Sequence, residues 1–295
     1  MAGKIQIPEE LKHDLPQSKW GKILASTPIV MTVIATMLAG LASSEMTKAQ
    51  YDRAYAAQLQ SKAGDQWGYF QAKKLRSSLA QNSFDLLSAT AEIPTLTAAN
   101  LPGASEVTVN ALVNGEMPAA KPAVFSDNIK AAMAALENSQ DEKEIAQKLA
   151  AVKPQALKVA LTDAKNAADA FDAATKSINK DSDRLDNELM KGDKPVFRSF
   201  SAARLRYNAK RYDSEARLNQ SIANIYELQV RQNNLSAEKH HNRSKNFFFG
   251  MLASQMAVII STFAIAARKK SLLWSLAAAA GAAAVCFSIY VYLRV

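Results

Sequence analysis

The chain has little of what catalytic and metal sites are usually made from. Of 295 residues one is a cysteine, Cys286, which excludes an intrachain disulfide and a cysteine-based metal site. Only three histidines are present, and two of them, His240 and His241, are neighbours. Neighbours on a helix point about 100° apart, which makes a poor metal pair. No P-loop, no G-x-G-x-x-G, no G-x-S-x-G and no H-E-x-x-H occurs. The acidic group Asp181, Asp183 and Asp186 lies among Lys180 and Arg184 and reads as solvated. The expectation is a protein that is not an enzyme and that holds no cofactor and no metal.

Helix breakers are scarce too. There are 10 glycines and 9 prolines, and no proline follows Pro195. Nothing beyond that position is forced out of a helix by a missing amide hydrogen.

What the chain does have is apolar runs. Residues 23–43 read ILASTPIVMTVIATMLAGLAS without a charge, and residues 247–267 and 272–293 form two more such runs. About 20 apolar residues span a bilayer as a helix. The first run is too long for a cleavable leader and lacks its small-residue end, so an uncleaved anchor is expected. No Asp, Glu, Lys or Arg lies within 23–43, 247–266 or 272–293. Transporters and proton pumps usually carry ionisable groups inside the bilayer, so ion coupling is disfavoured.

The net charge of +9 suggests nucleic acid until it is located. Residues 1–22, the link Arg268-Lys269-Lys270 and Arg294 together hold 8 basic and 3 acidic residues. The remaining chain holds 28 basic and 24 acidic residues. More than half of the excess therefore flanks apolar runs, where orientation signals and anionic headgroups account for it. No nucleic-acid partner is expected. The stretch 197–217, with Arg198, Arg204, Arg206, Lys210, Arg211 and Arg217 among aromatics, reads as a helix face that pairs with acids or contacts a neighbouring subunit.

Between the first two runs lie about 200 residues, enough for one helical domain. After a polar tail over 1–22 and a first span over 23–43, residues 44–93 continue as an outgoing helix. Met46, Ala49, Ala56, Leu59, Ala63, Trp67, Phe70 and Leu87 recur at mostly three, four or seven. Beyond the membrane it would reach roughly 70 Å. Residues 94–125 hold five prolines and glycines at 94, 102, 103, 115 and 118, with Pro122 as a sixth, and read as an irregular tip loop. Glu106 to Val109 has a β-like pattern, and a short hairpin is one reading of it. Residues 126–195 form a helical cap, with Ser126-Asp127 as an N-cap and Pro154 opening a helix at its first turn. Residues 196–246 return as a helix that runs into the second span, 247–267, followed by the third, 272–293.

Because the outgoing and returning helices leave and re-enter one face of the membrane, they must be antiparallel. Placing Ser43 opposite Asn246 and carrying that register outward brings Lys62 opposite Glu227, and Lys73, Lys74 and Arg76 near Asp213 and Glu215. Glu45 falls near Arg243 and Lys245, and Asp85 near Arg204 and Arg206. The pair Lys74–Glu215 and the pair Lys62–Glu227 are the expected stalk charge contacts, with Trp67, Phe70, Ile222 and Ile225 in the packing seam. The third run contains Ala277 and Gly281 at small-xxx-small spacing, suited to helix packing within the chain or between subunits.

One stretch stands apart: Gly64-Asp65-Gln66-Trp67-Gly68-Tyr69-Phe70-Gln71-Ala72-Lys73. Two glycines in a helix are costly, and close packing of another helix over Gly64 and Gly68 would justify them. At this point the chain resembles the prokaryotic membrane proteins grouped as domain-of-unknown-function family 4337. These share a D-Q-W-x-(aromatic)-(aromatic)-Q-A-K stretch after the first span, matched here by Asp65 to Lys73. They also share a long returning helix and two closing spans joined by a basic turn, matched by Arg268-Lys269-Lys270. The resemblance does not extend to residues 94–195. It implies topology and no activity.

The expectation is an all-α membrane protein with three transmembrane helices and a long antiparallel, coiled-coil-like stalk with a helical cap. It would serve as a structural protein that self-associates or scaffolds a larger membrane assembly, with lipid, further copies of itself or another membrane protein as partners. The alternative is a channel or transport accessory subunit whose oligomerised spans line a pore through Ser26, Thr27, Thr32, Thr36, Ser254, Gln255, Ser261 and Thr262. Lysine and arginine in short loops favour the cytoplasm. The basic link and the N-terminus are therefore expected inside, and the helical domain in the periplasm of a bacterial inner membrane.

Overall fold

A computed structural model describes residues 19–266 and 272–294 of the chain. The described residues are helical, with no strand among them: α1 (Lys19–Thr90), a 3-10 turn (Ala98–Asn100), α2 (Glu106–Val109) running into a π turn (Asn110–Asn114), α3 (Asp127–Glu137), α4 (Glu142–Ala150), α5 (Pro154–Leu189), α6 (Lys194–Ala266) and α7 (Leu272–Arg294). Contacts divide the chain into two compact units, residues 1–54 with 234–295, and residues 55–233.

In the 55–233 unit the buried positions follow the helical repeat. Ala56, Leu59 and Ala63 of α1 meet Ile129, Ala132 and Ala135 of α3, Ile145 and Leu149 of α4, Leu157 and Ala160 of α5, and Ile222, Ile225 and Leu228 of α6 in one core. Spacings of three and four turn one stripe of each helix inward. A second core joins Leu101 and Leu112 to Ile178, Leu185, Phe200 and Tyr207. Burial at roughly 25 cal/mol per Å² of apolar surface is the main favourable term in both.

The segment Glu106–Val109 is a helical turn, which corrects the β reading. Its two valines and a threonine favour a strand locally, but tertiary contacts override such a short preference. The Asp181 carboxylate accepts from the Ser105 amide at 3.0 Å, from Ser105 Oγ at 2.7 Å and from Thr108 Oγ1 at 2.7 Å. Those bonds hold its carboxyl below the usual carboxylate range, the Ser105 amide acting most strongly. Gly115, at φ +71°, ends the turn in the left-handed conformation that glycine adopts without strain.

In the unit of residues 1–54 and 234–295, small side chains mark the buried faces. Met31, Ala35, Leu38 and Ala42 are buried on α1, Ser254, Ala257, Ser261 and Ala264 on α6, and Ala277, Gly281 and Ala284 on α7. A Cβ added at Gly281 would lie 2.9 Å from Met31 Sδ, so the glycine allows α7 to approach α1 there. Ser244 Oγ donates to the Ala42 carbonyl at 2.7 Å, and His240 Nδ1 lies 2.6 Å from Glu45 Oε2. Both α1 and α6 contain stretches long and apolar enough to cross a membrane. Only 28% and 33% of those stretches are buried, so most of their side chains face outward.

Candidate functional site

The polar groups of the 55–233 unit converge where α1, α5 and α6 meet. Glu215, on α6, is 4% exposed and carries two cations, Lys73 from α1 and Arg211 one turn before it, the latter at 3.1 Å. The Tyr212 ring lies under three cationic groups, with Arg211 at 4.3 Å, Lys73 at 5.4 Å and Arg76 at 5.9 Å from its centre. Asp172 of α5 stands beside this group. Burial and then the Glu215 charge push its carboxyl up, against the pull of Lys73 and Arg211. Burial also pushes the Tyr207 hydroxyl up to about 12, and that hydroxyl donates to Asn179 Oδ1 at 3.2 Å.

Two cavities flank this region. One, of about 340 Å³, is lined by Gln66, Tyr69, Lys73, Lys165, Asp172 and Glu215 among others. The other, of about 470 Å³, lies between Trp67, Glu137, Glu142, Asn224, Glu227 and Arg231. All three of its carboxylates are engaged. Trp67 Nε1 donates to Glu227 at 2.6 Å, Asn224 Nδ2 donates to Glu137 at 2.6 Å, and Arg231 pairs with Glu142. Among the described residues no group of His, Cys, Asp and Glu could hold a metal ion. The arrangement is one that fixes helices against each other.

Several expected site residues lie elsewhere than the sequence register put them. Lys62 is exposed and Glu227 is bonded to the Trp67 indole, so the Lys62–Glu227 pair is absent among the described residues. Lys74 pairs with Asp213 at 2.6 Å, while Glu215 takes Lys73. The lysine and arginine bonds hold the Asp213 carboxyl below the usual range, Lys74 first. Asp85 accepts from Gln81, and Arg204 reaches Asp183 and Asp186 at 2.6 and 2.8 Å, so those two aspartates are paired as well as solvated. Glu45 meets His240 and Lys48 instead of Arg243 or Lys245. Burial raises its carboxyl, but the Lys48 and His240 bonds outweigh that and leave it lowered.

The glycine expectation is corrected more fully. Gly64 and Gly68 are exposed, and a Cβ at either would meet nothing within 4 Å. Among the described residues no helix packs over them. Trp67 and Phe70 are half-buried and stack edge to face with ring centres 5.4 Å apart, and Ile222 and Ile225 are buried. Ala277 and Gly281 are both buried within their own unit. Arg268, Lys269 and Lys270, the expected orientation signal, lie outside the described residues. Sequence reasoning missed the Glu45–His240 contact because it weighed His240 as a metal ligand beside His241 and gave Glu45 to Arg243 and Lys245; the signal was a glutamate and a histidine placed just outside the two apolar runs.

Among known families, residues 20–107 match the one described as Domain of unknown function (DUF4337). The match includes the Asp65 to Lys73 stretch and ends before the basic link. No curated protein and no solved structure matches the chain.

Proposed function

We propose that this chain, which carries a DUF4337 domain over residues 20–107, is a non-enzymatic membrane-anchored scaffold. In this reading, runs 23–43, 247–267 and 272–293 cross a bacterial inner membrane. The 55–233 unit then forms an antiparallel, coiled-coil-like stalk and cap on the periplasmic side, with the N-terminus cytoplasmic. The observation that carries the membrane part is the outward apolar face of each run. Ile29, Val33 and Met37 on α1, Phe249, Met256 and Phe263 on α6, and Leu276, Ile289 and Leu293 on α7 are each at least half exposed, with no charged residue between them on their runs. An apolar surface of that extent calls for lipid or protein cover.

Self-association is supported by the outer face of α1. Gly64, Gly68, Ala72, Leu75, Leu79, Asn82 and Leu86 are all exposed and follow one another at steps of four and three. Leu75, Leu79 and Leu86 are 61%, 55% and 66% exposed in a part of the chain that no membrane run includes. Steps of three and four make a seam that a second helix covers, with one asparagine to set register. Gln71, Ser78 and Ser83 beside it are uncharged, and the charges on the same flanks, Arg76 and Asp85, are of opposite sign. The glycines that find no partner within the chain then lie where a second copy approaches most closely.

The pore alternative draws less support. Thr32, Thr36, Ser254, Ser261 and Thr262 each donate their hydroxyl to a carbonyl of their own helix. Extraction in mild detergent followed by native mass measurement tests the scaffold. The expected result is a homogeneous multimer that a Leu79→Glu, Leu86→Glu double variant converts to single chains without loss of fold. A wild-type chain that emerges only as a lone monomer, with no other protein attached, contradicts it.

A further inference from the structure

Two apolar cavities in the unit of residues 1–54 and 234–295 share Ala39 and Met251. Their volumes are about 380 and 450 Å³, and together they make one groove along the seam of α1 and α6. On α1 the groove extends from Met46 to Thr32, a length of roughly 21 Å at 1.5 Å per residue. Half the hydrocarbon thickness of a bilayer is about 15 Å, so the groove takes one lipid tail along its length. Its floor is open because α1 presents alanines, Ala35, Ala39 and Ala42, where larger side chains would close it.

The polar groups of the groove are unevenly placed. Thr32 and Thr36 donate their hydroxyls to Pro28 and Thr32 carbonyls and leave methyl groups for the lining. Gln255 stands toward the far end. At the near end, beyond the last apolar turn, is Lys245, exposed and without an ion pair among the described residues. Glu45, the α1 acid next to the lining residue Met46, is held by Lys48 and His240. The result is a hydrocarbon-lined groove with Lys245 as the one cation among its described lining residues, placed at one mouth.

We infer that this groove is a binding site for one tail of an anionic phospholipid, whose phosphate is held by Lys245. An amphiphile with a negative head and a single long tail matches both the charge at the mouth and the apolar length behind it. A helix of another protein would fill the tail region but gives no reason for a free lysine at one end only. The inference rests on the reading of α1 and α6 as membrane-crossing helices and adds to it the chemistry of a specific lipid.

The test uses the full chain, purified in mild detergent and titrated with phosphatidylglycerol or phosphatidylcholine, with bound lipid counted by native mass spectrometry. Membrane fractionation of the same cells, washed with alkaline carbonate, is run in parallel. Wild type is expected to retain one phosphatidylglycerol per chain in preference to phosphatidylcholine. A basic residue near the membrane surface strengthens anionic lipid binding by about fivefold, so Lys245→Gln should weaken phosphatidylglycerol retention by about that factor and leave phosphatidylcholine unchanged. Ala39→Phe, which fills the shared part of the groove, should reduce retention of both. Equal retention of the two lipids by wild type, or an unchanged preference in Lys245→Gln, overturns the site. So does an Ala39→Phe chain that keeps its lipid and loses only its multimeric state, which would give the groove to a second copy. Loss of the wild-type chain from carbonate-washed membranes contradicts the membrane reading itself and is a separate outcome.

Discussion

Phe200→Ala is expected to cost the 55–233 unit about 3–5 kcal/mol, the range for truncating a fully buried phenylalanine. Phe200 is 0% exposed and is the largest side chain fully out of water. It packs with Leu112 from the turn after α2, with Ile178 and Leu185 of α5, and with Tyr207 on its own helix. The alanine would therefore leave a void at the place where residues 94–114 are held against two helices. That segment has few other attachments. Among the described residues, Arg198 donates to the Glu92 carbonyl, Ser199 to the Pro94 carbonyl and Arg184 to the Pro102 carbonyl, and Asp181 accepts from Ser105 and Thr108. Denaturant unfolding of the full chain in detergent should show the lowered midpoint, and protease should cut within residues 94–114 first. Against a typical total stability of 5–15 kcal/mol, a shift under about 1 kcal/mol would mean that this second core is not what fixes the segment. Leu79→Ala, on the exposed face of α1, should stay within about 0.5 kcal/mol in the dissociated chain.

Glu215→Ala should cost about 3 kcal/mol, for a different reason. Removing one partner of a buried ion pair leaves the other charge uncompensated, which typically costs 3–5 kcal/mol. Lys73 and Arg211 keep 25% and 14% of their side chains in solvent, so the lower end of that range applies. Glu215→Gln should cost less, since it keeps the volume and some of the hydrogen bonding. The same variants change Asp172. Its carboxyl is raised by burial and by Glu215. A group raised on folding contributes stability that is present below its unfolded pKa and lost as pH rises through its folded one. Taking away the Glu215 charge shrinks that raise, and the fall in stability with rising pH through the carboxylate range should flatten. Lys74→Ala, which breaks the half-exposed pair with Asp213, should cost at most about 1 kcal/mol. An effect of Glu215→Ala no larger than that of Lys74→Ala would show that the cluster is an ordinary surface network.

The long helices were legible because their buried stripes recur at three and four and because proline is sparse along them, with Pro28 in the apolar run of α1 and Pro195 in the first turn of α6. Partner choice was harder to read. Aligning two helices of some fifty residues by their membrane ends places facing residues to within a turn, yet one residue of slip rotates a side chain by about 100°. That is why Glu215 takes Lys73 and leaves Lys74 to Asp213. At Glu227 the winner is an indole N–H, a donor that a search for opposite charges passes over. The turn over Glu106–Val109 was misread because its valines speak for a strand, while the carboxylate that pins it comes from Asp181, 73 residues beyond Thr108. Gly64 and Gly68 show the reverse problem. Their pattern signalled close approach of a helix, and among the described residues none is there.

In the proposed scaffold, three crossings would put the 55–233 unit and the link between the last two runs on opposite sides of a membrane. With Cys286 the only cysteine, a Cys286→Ser background allows single cysteines to be placed at Gln81 and at Lys269 and probed on intact cells with a membrane-impermeant thiol reagent. Gln81→Cys, on the exposed part of α1, should label from outside, and Lys269→Cys only after the membrane is permeabilised. Labelling of both from the same side, or release of the chain by alkaline carbonate, would contradict the three-span anchor.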